Sequence, residues 1–277
     1  MPVISLTMEL GCLSKEVAEA LADELSARVV YAELVERTAR HMGIPEHRLR
    51  RIVEGRARPR ERWTVKTEDV RTFTRAELLA LASKGGVIIR GWGAEELFRS
   101  IPNIPCVRIC APLAVRIANL KPLFDCDDGK FILRKIKTSD AALAARMHRN
   151  GRADSSNTYH LVLNTERCSV EHCADQILAL VRQPYFARFE ESHDKLRDLA
   201  LVASIEAALE QDKKTRGIRL DMHSQNGVIR LAGIVNDMRE RLALEELIGA
   251  HPGVVEVMSE VRLMSDQWRY RRIAPNF

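Results

Sequence analysis

The sequence predicts an α/β protein, a parallel sheet flanked by helices, followed by a smaller α+β unit. Three observations carry that expectation. Short apolar strands alternate with helical patterns from residue 1 to about 182, the order that builds a parallel sheet covered by helices on both faces. The first twenty residues run from an apolar strand, Val3-Ile4-Ser5-Leu6, through Gly11-Cys12-Leu13-Ser14-Lys15 into a helix beginning near Glu16. A strand–glycine–helix passage offers an anion free N–H groups and the positive end of a helix dipole, so the sheet is of P-loop type. After residue 198 the pattern becomes α-β-β-α-β, a separate small module with helices on one sheet face.

Each element follows from its residues. Helix 16–27 turns Val17, Leu21 and Leu25 inward, and Arg28 to Tyr31 reads as a short strand. Helical patterns cover 32–43, 46–54 and 75–83. Between them the stretch from Glu54 to Arg62 is dense in arginine, broken by Pro59 and without apolar periodicity, which reads as a mobile basic segment. Val87-Ile88-Ile89-Arg90 and Val107-Arg108-Ile109-Cys110 are buried parallel-type strands, and Pro112 suits the first turn of the next helix. Helix 129–149 is rich in Lys and Arg, Leu161-Val162-Leu163 is the last strand of the sheet, and helix 169–182 closes the first domain, 1–182. Residues 183–198 break the pattern and read as a linker. Helix 199–212, a hairpin turning at Asn226-Gly227, helix 236–250 and strand 255–263 make the second domain, 199–264, with a basic tail over 265–277.

Composition limits the function classes. The 277 residues are 46% hydrophobic and 29% charged, ordinary for a soluble globular chain, and the net charge of +5 suits anionic ligands without arguing for DNA. No apolar run approaches membrane-spanning length and no signal-peptide pattern opens the chain, so a cytoplasmic location is the default expectation. The six cysteines, Cys12, Cys106, Cys110, Cys126, Cys168 and Cys173, form no C-x-x-C pair and read as reduced buried thiols, with no metal site. Cys12, beside a helix start and Lys15, is the one with grounds for a lowered pKa, against the plainer reading of a small residue filling a turn. His41, His47, His160 and His172 show no ligand spacing and read as structural or exposed.

The loop departs from G-x-x-x-x-G-K-[ST]: Leu13 or Ser14 holds the second glycine position and Glu16 follows Lys15 where a Mg²⁺-binding hydroxyl belongs. Three stretches carry a family resemblance: Ile4 to Leu25; Gly86 to Ala94 continuing to Pro102-Asn103 and Ala111-Pro112-Leu113; and Tyr159 to Thr165 with Ser169 to Glu171. Together they resemble the cytidylate-kinase-like family, over about residues 1–182. The resemblance implies ATP- and Mg²⁺-dependent phosphorylation of CMP or a related monophosphate. By position it puts Gly11, Cys12, Ser14 and Lys15 on the phosphate loop, Arg90, Gly91 and Gly93 near the acceptor phosphate, and Arg146, Arg149 and Arg152 on an arginine-bearing lid. Met8 stands where a basic residue is usual, Trp92 where relatives often carry arginine, and Asp154 to Asn157 keep a weakened acidic lid end. Residues 199–264 resemble a BON domain through Gly227-Val228, Leu231 to Gly233, Arg239, Arg241 and Pro252-Gly253-Val254.

Two readings stay open at this point. One is an enzyme of low turnover, with Lys15 and the lid arginines as its catalytic cations. The other is a catalytically silent sensor or interaction protein, with a degenerate kinase scaffold and a BON domain that takes a small ligand, a protein or a membrane surface. Homo-oligomer formation is compatible with both.

Overall fold

The structure is a computed structural model that describes residues 1–54, 56–57, 63–124, 128–149 and 158–264. Five strands form a wholly parallel sheet: β1 (Val3–Met8), β2 (Arg28–Val30), β3 (Val87–Arg90), β4 (Cys106–Cys110) and β5 (Leu161–Asn164), in the order β2-β3-β1-β4-β5. β1 is central: the chain lays β2 and β3 on one side of it and then crosses to place β4 and β5 on the other. That is the topological switch point of an open α/β sheet, where ligands sit beyond the carboxyl ends of the strands. Val3, Ile4 and Leu6 are fully buried together with Val87, Ile88 and Ile89, which is why these strands read as apolar runs.

Helices flank this sheet: α1 (Ser14–Leu25), α2 (Ala32–Met42), α3 (Glu46–Val53), α5 (Ala94–Phe98), α6 (Leu113–Phe124), α7 (Gly129–Arg149) and α8 (Val170–Val181). α1 and α8 pack Val17, Ala18, Leu21, Cys173, Ile177 and Leu178 into one core with β1, β3 and β4. Leu120 of α6 and Ile132 and Ile136 of α7 form a separate small cluster. Ser169 caps α8, its hydroxyl accepting from His172 N at 3.2 Å.

A second sheet holds β6 (Leu220–Gln225), β7 (Val228–Val235) and β8 (Glu256–Leu263). β6 and β7 are an antiparallel hairpin, and β8 returns parallel to β7. Asn226 and Gly227, both at positive φ (52° and 81°), make the tight turn the sequence indicated. Val202, Ile205 and Leu209 of α10 (Phe189–Gln211) and Leu244 and Ile248 of α11 (Met238–Gly249) share a core with Ile229, Leu231 and Val261 of this sheet.

Two elements differ from the sequence reading. The helix expected at 75–83 is α4, Thr67–Ala82, and its buried Val70 and Phe73 explain the earlier start. The 183–198 stretch, read as a linker, is largely helical: α9 (Pro184–Ala187) opens on a proline, and α10 begins at Phe189. The chain divides into two units, Met1–Thr67 with Lys84–Ser192, and Glu68–Ser83 with the chain from His193 onward. α4 therefore groups with the second sheet, where Arg75 pairs with Glu206 at 2.5 Å. Most of the basic 54–62 segment, the 154–157 stretch and the 265–277 tail lie outside the described residues.

Candidate functional site

At the carboxyl end of β1 the chain turns through Glu9 to Leu13 and enters α1. Gly11 takes φ +88°, and a Cβ there would lie 2.7 Å from the Arg116 carbonyl, so this glycine is required by the close approach of α6. Leu13, at the N-cap position, takes φ 58° and ψ 23°. That is left-handed backbone, the conformation a loop glycine would adopt at no cost. Its side chain makes no capping hydrogen bond to α1.

The loop is fastened by its carbonyls. Arg116 Nε donates to Leu10 O at 2.8 Å, Asn119 Nδ2 to Gly11 O at 2.9 Å and Thr165 Oγ1 to Cys12 O at 3.2 Å. Arg116 is buried and bridges Glu9 (3.3 Å) and Asp140 of α7 (2.6 Å), and Arg108 pairs with the other Glu9 oxygen at 2.9 Å. A buried cation needs such partners, since either charge alone would carry the full desolvation cost. None of these buttressing residues emerged from the sequence. Arg116 was the visible signal, a lone cation in the largely apolar stretch from Leu113 to Leu120.

Two of the expected site residues come together at the loop. Arg90, at the end of β3, donates to Ser14 Oγ and to Met8 Sδ, each at 3.4 Å, and the Ser14 hydroxyl donates to Met8 Sδ at 3.1 Å. The Arg90 guanidinium lies 5.6 Å from the Tyr31 ring, and Tyr31 in turn meets Trp92 at 6.1 Å. Burial pulls the Arg90 pKa below its ordinary value, opposed by Tyr31, Cys12, Glu16 and Glu19, and its Nε is buried with no hydrogen-bond partner. Trp92 Nε1 is likewise buried and unpartnered, and Trp92 sits at φ 67° between Gly91 and Gly93, both at φ 72°. Gly91 N is taken by Leu6 O at 2.7 Å. Tyr31, read from the sequence only as a strand end, is thus a neighbour of Arg90.

Lys15 is 64% exposed and paired with Glu19 at 3.5 Å on the surface of α1. Arg146 and Arg149 belong to the last turn of α7, and Arg152 lies outside the described residues. Cys12 is buried, and burial pushes its thiol pKa up against hydrogen bonds from Ser14 and Glu9. The grounds for a lowered Cys12 pKa are therefore overturned, because desolvation outweighs the helix terminus. His160 is structural: its Nδ1 accepts from Cys106 N at 3.0 Å, and burial lowers its pKa. Chemically, the carboxyl ends of β1 and β3 hold one partly buried guanidinium, a hydroxyl and a helix N-terminus, a set suited to an anion.

Among curated proteins, none matches the chain. Among solved structures, it is similar to an uncharacterized protein from Eubacterium ventriosum ATCC 27560 at 18% identity, covering 66% of this chain and 99% of that one with a TM-score of 0.49. It is also similar to shikimate kinase from Acinetobacter baumannii in complex with shikimate at 17% identity, covering 65% and 93%, TM-score 0.37. TT1252 from Thermus thermophilus is similar at 14% identity, covering 66% and 97%, TM-score 0.44. The profile of the cytidylate kinase-like family matches residues 3–167, more than half of the chain and all five strands of the parallel sheet. With its P-loop-type sheet and kinase-like, nucleotide-binding fold, the chain belongs to the cytidylate kinase-like family.

Proposed function

We propose that the first unit binds a nucleotide at the Gly11–Lys15 loop and transfers phosphate from ATP to CMP or a related monophosphate with low turnover. The observation that carries this reading is Arg90. Its guanidinium stands beside Ser14 in the first turn of α1 with a buried, unpartnered Nε, a cation with hydrogen-bonding capacity left for an anion. In this reading Arg90 with Gly91 and Gly93 serves the acceptor phosphate. Gly11, Cys12, Ser14 and Lys15 serve the donor, and Arg146, Arg149 and Arg152 neutralise charge in the transition state.

ATP and Mg²⁺ are what kinase-like proteins of this kind generally use. The residues present fit a phosphate group, through Arg90, Ser14 and the start of α1. For Mg²⁺ they offer the Ser14 hydroxyl, since Glu16 follows Lys15 in place of a second one. When bound, the metal would neutralise phosphate charge. The chain's own contribution is to position phosphates and exclude water.

Low turnover follows from Leu13. Its left-handed φ strains the turn, and in this reading its side chain takes up space that a glycine would leave open to phosphate. The same observation favours a second reading, a catalytically silent protein that keeps the nucleotide site as a sensor. In both readings the second unit is a BON domain that engages a small ligand, a protein or a membrane surface, and the chain works in the cytoplasm. A coupled assay of CMP-dependent ADP production separates the two. The enzyme reading expects turnover well below the roughly 1–100 per second of ordinary kinases, and a rise of about tenfold in Leu13→Gly. No turnover in either protein, with ADP still bound, would leave the silent reading standing.

A further inference from the structure

Two thiols meet on the flank of the loop, outside the groups considered so far. Cys168 is the residue before the N-cap Ser169 of α8, and Cys173 is the fourth residue of that helix. These two positions face each other at a helix start and usually carry an apolar contact. Here the Cys173 thiol reaches back to the Cys168 carbonyl at 4.0 Å, which brings the two cysteines together across the first turn of α8. The backbone on both sides is fixed: Cys168 N donates to Asn164 O at 3.1 Å, and Cys173 N donates to Ser169 O at 2.9 Å. Both residues are reduced, Cys168 half-buried and Cys173 fully so.

We propose that Cys168 and Cys173 are a reversible two-thiol oxidation site whose substrate is a hydroperoxide. The half-exposed Cys168 meets the oxidant. Its sulfur attacks one peroxide oxygen, an S–O bond forms as the O–O bond breaks, and the leaving hydroxide takes up the Cys168 thiol proton as water. Cys173 then attacks the resulting sulfenic sulfur. The S–S bond forms, the S–O bond breaks, and the departing hydroxyl takes the Cys173 proton as water. Two thiols lose two electrons and one hydrogen peroxide becomes two waters. Cys173, fully buried, is shielded from a dissolved oxidant, which leaves the first encounter to Cys168 and the second role to Cys173.

The location gives this chemistry a consequence. Thr165, three residues before Cys168, holds the Cys12 carbonyl at 3.2 Å and touches the Cys110 carbonyl at 3.4 Å. A disulfide would stiffen the turn that buttresses the loop. The oxidation itself does not depend on the nucleotide reading, and its test reads thiols directly. Cys12 is the natural competitor, since it shares the buried core between α1 and α8 with Cys173.

The test uses the full chain, treated with about one equivalent of hydrogen peroxide, alkylated, digested with trypsin and weighed. Cys168 and Cys173 fall in the single tryptic peptide 168–182. The expected result is that peptide unalkylated and about 2 Da lighter than its reduced form, with dithiothreitol restoring two labels, in wild type and in Cys12→Ser alike. A Cys12–Cys173 link between two peptides would overturn the proposal. So would two labelled thiols surviving the oxidant, or a mass loss that disappears in Cys12→Ser.

Discussion

Leu13 holds a backbone conformation that costs an L-residue about 1–2 kcal/mol and costs glycine almost nothing. The three carbonyl bonds from Arg116, Asn119 and Thr165 hold the turn in place despite that strain. In Leu13→Gly the relief of strain offsets the loss of a half-buried side chain, about 1 kcal/mol by area. Urea denaturation should therefore put the variant within about 1 kcal/mol of wild type while its turnover rises. A loss of several kcal/mol would mean that Leu13 is a core residue first. His160 gives a second residue-scale expectation. Its folded pKa lies below 6.5 because burial disfavours the imidazolium, and its Nδ1 is occupied by an N–H donor. The unfolded ring takes a proton first, so the stability this group contributes is present above pH 6.5 and lost as pH falls towards the folded value. Denaturation curves between pH 7.5 and 5 (a range of about two and a half units) should show a steeper decline in wild type than in His160→Asn. Equal slopes would contradict the assignment.

At the scale of elements, Asp198 organises the second sheet from a helix. Its carboxylate accepts from Ser224 Oγ at 2.5 Å, from Asn226 N at 3.0 Å and from Gly227 N at 3.3 Å, so α10 caps the β6–β7 turn. Asp198→Ala leaves those donors unsatisfied and should lower the stability of that unit by about 1–3 kcal/mol, read by denaturation followed at its own signals. An unchanged midpoint would show that the turn holds without it. Elements with one strong local signal were legible: β3 in Val87–Arg90, helix 129–149 and the Asn226-Gly227 turn were each read at or within a residue of their place. α4 was read short because Thr67 to Thr74 mixes Val70 and Phe73 with polar and charged residues, and only the packing buries that face. The 183–198 stretch was read as a linker because Pro184 and its polar neighbours give no period, although proline is at ease in a helix's first turn.

For the whole molecule, the order β2-β3-β1-β4-β5 brings Met8, Ser14, Tyr31 and Arg90 together at the carboxyl ends of the strands from stretches far apart in sequence. The strand–glycine–helix pattern marked the loop, but the partners that fasten it were not legible. Arg116, Asn119, Asp140 and Thr165 are joined to it only by the crossover connections, and a charged residue's partner is invisible until the chain is folded. The central claim is that this site binds a nucleotide through Arg90. Calorimetry of the full chain with ADP, with and without Mg²⁺, tests it most directly when wild type and Arg90→Met are run side by side. Saturable binding in wild type, weakened about ten- to a hundredfold in the variant, is the expected result, since a charge-assisted hydrogen bond is worth about 1.5–3 kcal/mol. No heat at millimolar ADP, or equal affinity in the two proteins, would contradict it.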